Sequence, residues 1–506
     1  MATAPEKLAE SLEELKRLQD QGIMAIQSKD LTRTHRERLL KNGFIKEVMK
    51  GWYIPAAPNE RPGDSTSWYS TFWDFVATYL TARLGDNWCL SAEQSLNLHI
   101  GDRTVPKQLL VRSPKGRNRP TSLLFGTSIF DVKHSMPNDS DIVTMDGLNL
   151  YSLPAALISC SLKHFTAQPT QVRTALSMIS DASDVLVLLL DGGHSIIAGR
   201  LAGAFRNIGR DQIADNILTG MRAADYKVTE VDPFEDKPVI IFDHRELSPY
   251  VNRLKLMWGN MRGQVIANFP ESPGRTSGIN EYLQQVDDIY VTDAYHSLSI
   301  EGYRVTPELI TQVKEGRWNP DNSAKDKEHL NALAARGYWE AFQKVRISLH
   351  DVLNGDNSGE VLRRAHSNWY FSLFSPSVTA GIIKQSDLAG YRSGPVYIRS
   401  SMHVPPSKEA VRDMMPTLFD LLQSEENPAV RVVLGHFIFV YIHPYFDGNG
   451  RMGRFIMNVM MASGGYPWTV VPVELRDDYM AALEAASVDQ NIVPFTQFLG
   501  KLVSIN

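Results

Sequence analysis

Cysteine is scarce in this chain of 506 residues, in which only Cys89 and Cys160 occur. Two thiols so far apart exclude a disulfide framework and a zinc site built from cysteines, and they favour a reducing compartment. No stretch approaches about twenty consecutive apolar residues, so no membrane span is expected. The N-terminus has the pattern of a charged amphipathic helix rather than a signal peptide, and we therefore expect a cytoplasmic protein with no membrane partner.

A net positive charge, internal repeats and low-complexity segments are also missing. The formal net charge is −5, which argues against a protein that coats nucleic acid over its whole surface. Hydrophobic residues make up 43% of the chain and charged residues 22%, as in ordinary globular proteins. The length predicts about two to four domains.

What the chain does have is one dense stretch of functional groups, HPYFDGNGRMGR, from His443 to Arg454. An apolar run from Val432 to Ile442 precedes the stretch, and apolar residues at helical spacing follow it. This pattern predicts a buried helix, a tight loop and a second buried helix. The glycines of the loop let several backbone N–H groups converge at a helix N-terminus, which is a suitable place for an anion.

The side chains of this stretch fit phosphate chemistry. Arg451 and Arg454 are three residues apart and share a helix face, so they can bind neighbouring phosphate groups. Asp447 can hold Mg2+, which prefers a carboxylate together with phosphate oxygens. His443 can take a proton from a hydroxyl nucleophile. The stretch predicts transfer of part of a nucleotide, and the alternative is a solvated loop between two core helices.

The stretch closely resembles the signature of the Fic family, HxFx(D/E)GNGRxxR, with Tyr445 in place of the usual phenylalanine. The resemblance implies a mainly α Fic fold over residues 250–506. It also implies an adenylyltransferase that moves AMP from ATP to a Ser, Thr or Tyr hydroxyl of a target protein, which could be the chain itself. His443 would be the general base of this reaction.

The same resemblance assigns the ligands of the nucleotide. Asp447 would bind Mg2+, with Mn2+ as the alternative cation. Gly450 takes the place of a lysine that accompanies the kinase-like branch of the family, which favours nucleotide transfer with diphosphate leaving. The residues implied to bind phosphate are Gly448, Asn449, Gly450, Arg451 and Arg454.

A second segment, SLSIEG from Ser297 to Gly302, resembles the inhibitory motif of the Fic family, (S/T)xxxE(G/N). The resemblance implies an inhibitory helix near residues 282–301 whose Glu301 pairs with Arg454. That pair would occupy the arginine needed by the terminal phosphate of ATP, and Ser297 would brace the same helix end. The alternative is a glutamate that caps a helix on an exposed turn.

A third segment, Gly390 to Arg399, resembles the Fic flap, a β-hairpin that holds the target by strand addition. Its sequence predicts a turn at Arg392–Gly394 and a short strand at Val396–Ile398. The residues expected to dock the target are Gly394, Val396, Tyr397 and Ile398. His366 lies upstream, where we expect a core role.

Helical spacing dominates the remainder of the C-terminal half. The predicted helices are 250–269, 278–297, 306–314, 325–353, 359–372, 407–424, 429–442 and 452–463.

The N-terminal half predicts two further domains, a winged helix-turn-helix over residues 1–60 and a mixed α/β domain over 67–228. Residues 21–55 read as a helix, a turn, a second helix and a hairpin. Residues 10–225 together resemble the AbiEi-type antitoxin and transcriptional-regulator family, through the winged N-terminus and the Leu90–Ala92 segment with His99. Because isolated histidines are mostly structural, we do not assign His99 or His194 to a metal.

The basic second helix of the winged region could contact DNA. Arg33, His35 and Arg36 lie near its N-terminal end, where recognition helices touch base edges. The alternatives are that this region docks a protein or presents a solvated face.

Three alternatives to AMP transfer stay open at the level of sequence. Glu301 could position a water molecule for removal of AMP, and the nucleotide donor could differ from ATP. The chain could also be a DNA-binding regulator, or a toxin–antitoxin type of module, with a silent Fic domain. A homodimer is left open, and the sequence names neither the target protein nor the signal that frees Glu301.

Overall fold

A computed structural model describes residues 3–58, 60, 63–238, 248–274, 278–318 and 326–505. The chain forms two compact units. The first contains the chain up to residue 237 and the short segment Tyr397–Val404, and the second contains Tyr250–Val396 and residues 405–505. The predicted division into three domains stays a prediction. None of the helices in the described ranges combines the length and apolarity needed to cross a bilayer.

The first unit begins with two helices and a small sheet. Its elements are α1 (Ala4–Asp20), β1 (Ile26–Gln27), α2 (Arg33–Lys41), β2 (Ile45–Met49) and β3 (Trp52–Pro55). Thr32 begins α2 by accepting a hydrogen bond from the His35 N–H. The three strands are antiparallel in the order β1-β3-β2.

The helix predicted directly before α2 is wrong. Ile26 and Gln27 pair with Tyr53 and Trp52 as strand β1 instead. Ile26 is fully buried, and a β-branched side chain packs well on a pleated, half-buried surface. The observed order is helix, strand, helix and hairpin. This order does not by itself identify a winged helix, so that assignment stays a prediction.

The remainder of the first unit is mixed α/β, as the sequence predicts for residues 67–228. A four-stranded sheet has the order β4-β5-β7-β6, with β5 and β7 parallel, and β8 pairs with β9. The apolar run at Asp184–Leu190 forms a helix, α8. The elements are α3 (Thr66–Leu84), β4 (Cys89–Leu90), α4 (Ala92–His99), β5 (Gln108–Ser113), β6 (Arg119–Ser122), β7 (Ser128–Lys133), β8 (Ile142–Met145), β9 (Leu148–Tyr151), α5 (Leu153–Ser159), α6 (Leu162–Ala167), α7 (Pro169–Met178), α8 (Ser183–Asp191), α9 (Ser195–Asn207) and α10 (Asp211–Ala223).

The second unit is helical, which confirms the helices predicted from periodicity. The structure lengthens three of them, because α12 continues to Ile300, α15 continues to Thr379 and α18 begins at Asn449. Two helices beyond residue 475 were not predicted. The elements are α11 (Pro249–Asn268), α12 (Ile279–Ile300), α13 (Pro307–Lys314), α14 (Asp326–Leu353), α15 (Ser358–Thr379), α16 (Lys408–Ser424), α17 (Pro428–Ile442), α18 (Asn449–Ser463), α19 (Arg476–Val488) and α20 (Val493–Ile505).

Helices α17 and α18 lie at the centre of this unit. Most residues of α17 are buried around its whole circumference, which is why its sequence is apolar on every face. The buried histidine of this helix, His436, contacts the Tyr479 hydroxyl through its Nε2 at 2.7 Å. The loop between α17 and α18 is therefore held at both ends by fully packed helices.

The predicted strand at Val396–Ile398, and with it the β-hairpin flap, is wrong for the chain on its own. Residues 390–406 are all described and none is in a strand. A strand needs a paired backbone, and Pro395 has no N–H to offer. The carbonyl of Gly394 is also engaged, because Nη1 of Arg392 donates to it at 2.9 Å.

Two helical glycines of the second unit predict opposite effects of the same substitution. A Cβ on Gly337 of α14 would collide with the Leu373 carbonyl of α15, whereas a Cβ on Gly263 of α11 meets nothing within 4 Å. Gly337→Ala should lower the free energy of unfolding by about 1–3 kcal/mol through overpacking. Gly263→Ala should raise it by about 0.5–1 kcal/mol, because alanine is the better helix former.

Urea denaturation of the two variants beside the parent protein measures this difference. Equal effects of the two changes would contradict the close approach of α14 and α15 at Gly337.

Candidate active site

The turn between α17 and α18 carries most of the predicted site residues. His443 ends α17 in the left-handed region, with φ 51° and ψ 60°, and its N–H donates to the Phe439 carbonyl at 3.0 Å. Gly448, with φ 81°, directly precedes α18. A left-handed residue at each end lets the loop turn sharply. The imidazole of His443 and the N-terminus of α18 therefore belong to one tight loop.

The imidazole of His443 is set up as a neutral proton acceptor. Its Nδ1 lies 3.2 Å from the Val440 carbonyl oxygen. Because a carbonyl only accepts, Nδ1 carries the proton and Nε2 is left as the acceptor. Burial, together with the charge of Arg392, lowers the pKa of His443 to about 4, against the opposing effect of the Val440 contact. The ring is therefore uncharged at neutral pH.

The side chain of Asn449 braces the loop. Its Oδ1 accepts a hydrogen bond from the Tyr445 N–H at 3.0 Å, and its Nδ2 donates to the Tyr445 carbonyl at 2.8 Å. The Tyr445 ring stacks on Tyr370, with ring centroids 3.6 Å apart. The phosphate contact expected of Asn449 stays a prediction, and the structure gives this residue a second role in shaping the loop.

The two arginines of the predicted phosphate site are both buried. Arg451 is 1% exposed and lies between the rings of Phe374 and Tyr303, whose centroids are 5.0 and 5.3 Å from its guanidinium carbon. Its Nη2 is 3.4 Å from Oδ2 of Asp447. Its Nε, although buried, has no hydrogen-bond partner among the described residues. A buried donor of this kind is normally paired, so a ligand oxygen would complete it.

Arg454 is held by the end of α12. Its Nε donates to Oγ of Ser297 at 2.9 Å, and its Nη2 donates to the Ser297 carbonyl at 3.0 Å and to Oε1 of Glu301 at 2.7 Å. Glu301 caps the C-terminus of α12. The structure thus brings together the three residues that the inhibitory motif implies, across a sequence separation of 153 residues.

Glu301 is charged in this position. Burial would raise its pKa, but the guanidiniums of Arg454 and Arg451 and the hydrogen bond from Arg454 outweigh burial and lower the pKa. Gly450 provides the space for this contact, because a Cβ there would meet Oε1 of Glu301. The absence of a side chain at residue 450 therefore permits the ion pair.

Asp447 is the candidate metal ligand. Its side chain is 65% exposed, and its Oδ1 accepts a hydrogen bond from the Gly448 N–H at 2.6 Å. The described residues contain no group of three or more His, Cys, Asp or Glu that could hold a metal ion. One exposed carboxylate beside an anion site fits Mg2+, which is usually bound through one or two carboxylates and substrate phosphates.

The predicted docking residues do not form one element. Gly394 and Val396 fall in the second unit, while Tyr397 and Ile398 belong to the first. Gly394 lies near the half-exposed Phe446 of the loop between α17 and α18, because a Cβ on Gly394 would lie 3.5 Å from the Phe446 ring. Target docking at these residues stays a prediction.

The sequence reasoning missed Arg392 as a member of the site. Its side chain is buried, and its Nε donates to the His443 carbonyl at 2.8 Å. The only signal in the sequence is an arginine inside a glycine-flanked turn, and that signal does not say where the guanidinium points.

The predicted DNA-contacting residues lie on α2 and are largely engaged within the first unit. Arg36 donates to the Ser28 carbonyl at 2.9 Å, and Nδ1 of His35 is 2.9 Å from the Ser11 hydroxyl. Arg33 is exposed and pairs with Glu37 at 2.7 Å. His99 contacts the Tyr151 carbonyl through Nε2 at 2.7 Å, which is a structural role.

The second unit combines a helix that ends at a histidine, a glycine turn and two buried arginines at the start of the next helix, which is an arrangement suited to binding an anion. Residues 359–461 match the model of the Fic/DOC family, so the chain carries a Fic/DOC family domain.

The chain is also similar to curated proteins that are named as Fic adenylyltransferases. The protein adenylyltransferase Fic of Drosophila willistoni is 30% identical over 220 residues, which is 42% of this chain and 40% of that protein. Its counterpart in Drosophila grimshawi is also 30% identical, over 42% of this chain and 41% of that protein. The chain therefore spans about two-fifths of the length of these relatives.

Two solved structures are similar at lower identity. Fic-1 (residues 134–508) from C. elegans is 16% identical, with a TM-score of 0.37, and the match covers 66% of this chain and 85% of that one. A Fic family protein from Desulfovibrio desulfuricans is 21% identical, with a TM-score of 0.34, and the match covers 51% of this chain and 73% of that one.

The buried position of His443 predicts its titration. Because burial disfavours the imidazolium, NMR of histidine-labelled protein should show a neutral ring at pH 7 that takes up a proton near pH 4. The His443→Gln variant identifies the signal by its disappearance. A midpoint near the ordinary histidine value of about 6.5 would contradict the burial of this ring.

Proposed function

We propose that this protein is an autoinhibited adenylyltransferase that transfers AMP from ATP to a Ser, Thr or Tyr hydroxyl of a target protein. The observation that carries the proposal is the contact of Arg454 with Ser297 and Glu301 beside the N-terminus of α18. The buried guanidinium of Arg454 lies beside the proposed phosphate site and is paired with the carboxylate of Glu301 from another helix. A carboxylate in this position would compete with phosphate for the guanidinium. The Fic/DOC family domain and the names of the curated relatives support the reaction class.

In this mechanism the target hydroxyl attacks the α-phosphorus of ATP. Nε2 of His443 takes the hydroxyl proton as the new P–O bond forms, and the bond from the α-phosphorus to the bridging oxygen breaks. Diphosphate leaves, and AMP stays on the target oxygen. The neutral imidazole supports this role, because only the uncharged ring accepts a proton.

The phosphates would lie along the N-terminus of α18. The backbone N–H groups of Gly448–Gly450 would stabilise the charge that develops on the α-phosphate. Arg451 would bind the β-phosphate, and its unpartnered Nε supports this assignment. Asn449 would orient phosphate oxygens while it braces the loop.

Asp447 would hold Mg2+, or Mn2+ in its place. The bound cation supplies neutralisation of the negative charge on the triphosphate. Asp447 is exposed and its Oδ2 is only loosely engaged with Arg451, so it is free to serve as a ligand.

Inhibition in this proposal is a competition between two anions. Glu301 and the γ-phosphate both need the guanidinium of Arg454, and the charged Glu301 carboxylate would also repel the phosphate. While Glu301 is paired with Arg454, ATP cannot bind with its α-phosphate in line with a target hydroxyl. Movement of Glu301 away from Arg454 therefore activates the enzyme.

Other functions predicted from sequence are separate proposals. Removal of AMP would use the same residues with water as the nucleophile, and another nucleotide donor would use the same phosphate site. For a DNA-binding regulator no observation adds support, since His35 and Arg36 have partners within the first unit. A homodimer and a cytoplasmic location stay predictions.

Release of Arg454 should switch on labelling. With ATP labelled at the α-phosphate and Mg2+, Glu301→Gly should label protein about tenfold or more faster than the parent, because the competitor for Arg454 is gone. Glu301→Gly combined with His443→Ala should return to background. Counting label on protein after electrophoresis measures both, and ATP labelled at the γ-phosphate should give no signal.

Glu315→Gly is the matched control, since Glu315 ends α13 as Glu301 ends α12 but lies at none of the site arginines. It should behave like the parent. Label from the γ-phosphate would indicate phosphate transfer instead, and no label from folded Glu301→Gly that binds ATP and is offered cell extract as target would refute AMP transfer from ATP.

A further inference from the structure

Arg392 connects the loop between α17 and α18 to Gly394, the first of the predicted docking residues. Its side chain is buried, and its guanidinium donates to four backbone carbonyls, those of His443, Gly394, Pro406 and Ile442. Its own N–H donates to the Pro444 carbonyl at 2.9 Å. One side chain and one backbone group thus bind both the residue that would act as base and the residue after it.

A lysine could not make these contacts. The guanidinium presents five N–H donors in a rigid plane, whereas an ammonium is a compact point charge on a flexible stem. Burying a cation is unfavourable unless its donors are satisfied, and here they are directed at backbone oxygens. The planar guanidinium therefore fixes the relative positions of His443, Gly394 and Pro406.

The backbone of His443 needs such support. Its φ of 51° lies in the left-handed region, which is unfavourable for a residue other than glycine and persists only where neighbours hold it. The Nε of Arg392 binds the carbonyl of that same residue at 2.8 Å. The guanidinium thus supports the direction of this carbonyl and the backbone from which the imidazole extends.

We propose that Arg392 is a positioning residue that holds His443 in its left-handed conformation and links it to Gly394. The base and the docked target then keep a fixed position relative to each other. This inference rests on the proposed function, because it assigns to His443 the role of base. Arg392 itself touches neither nucleotide nor target.

The proposal predicts a selective loss of turnover. In the Glu301→Gly background, Arg392→Gln should lower kcat for AMP transfer about tenfold to a hundredfold, since small misplacements of a catalytic group have effects of this size. The Kd for ATP should stay within about twofold, because the phosphate-binding residues of α18 are untouched. Arg392→Lys should recover little of the loss, since it restores the charge without the planar fork.

Arg363→Gln is the control. Arg363 lies on α15 in the same unit and pairs with the exposed Asp420. This variant should keep the kcat of its parent. A purely structural role for Arg392 would instead lower ATP affinity, thermal stability and kcat together, and an Arg392→Gln variant with unchanged kcat would overturn the proposal.

A second readout does not depend on the reaction. The NMR signals of the His443 ring and backbone amide should shift or broaden in Arg392→Gln and Arg392→Lys but not in Arg363→Gln, whether or not AMP is transferred. If Glu301→Gly transfers no AMP, the proposed function fails while this measurement still tests the positioning role. Unchanged His443 signals in both Arg392 variants would refute it.

Discussion

The second unit depends on one buried guanidinium that needs an anion. Arg454 is 3% exposed, and a buried cation without a partner is strongly unfavourable. In the present structure Ser297 and Glu301 satisfy it from the end of α12. In the function that we propose, the terminal phosphate of ATP would take the place of Glu301. The position of α12 would then matter for the site as well as for the fold.

Two glycines, which have no side chains, leave space at the start of α18. Gly450 has no Cβ to push Glu301 away, and Gly448 has none to meet the ring of Phe374. Glycine also supplies the left-handed turn before α18 without strain. Gly448 therefore serves the backbone geometry of the turn, and Gly450 leaves room for the carboxylate of Glu301.

Much of the architecture could be predicted from the sequence, because helical periodicity in the second half is strong and local. The α17–loop–α18 arrangement followed directly from an apolar run, a glycine turn and a second apolar pattern. Prediction failed where pairing with distant residues decided the outcome. Ile26 is in a strand because Tyr53 lies opposite, whereas Val396–Ile398 forms no strand with any of the described residues. Local propensity contains neither fact.

The sequence by itself determined the chemistry that is available at the site: an imidazole, a carboxylate, two arginines and a glycine turn at fixed spacing. It also named Glu301 and Ser297 as a motif. Only the tertiary structure decided that these residues meet Arg454 across 153 positions, that Asn449 closes on Tyr445, and that Arg392 binds the His443 carbonyl. The physical reason is that residue type and spacing set what a group can do, whereas burial and partners depend on chain segments that are remote in sequence.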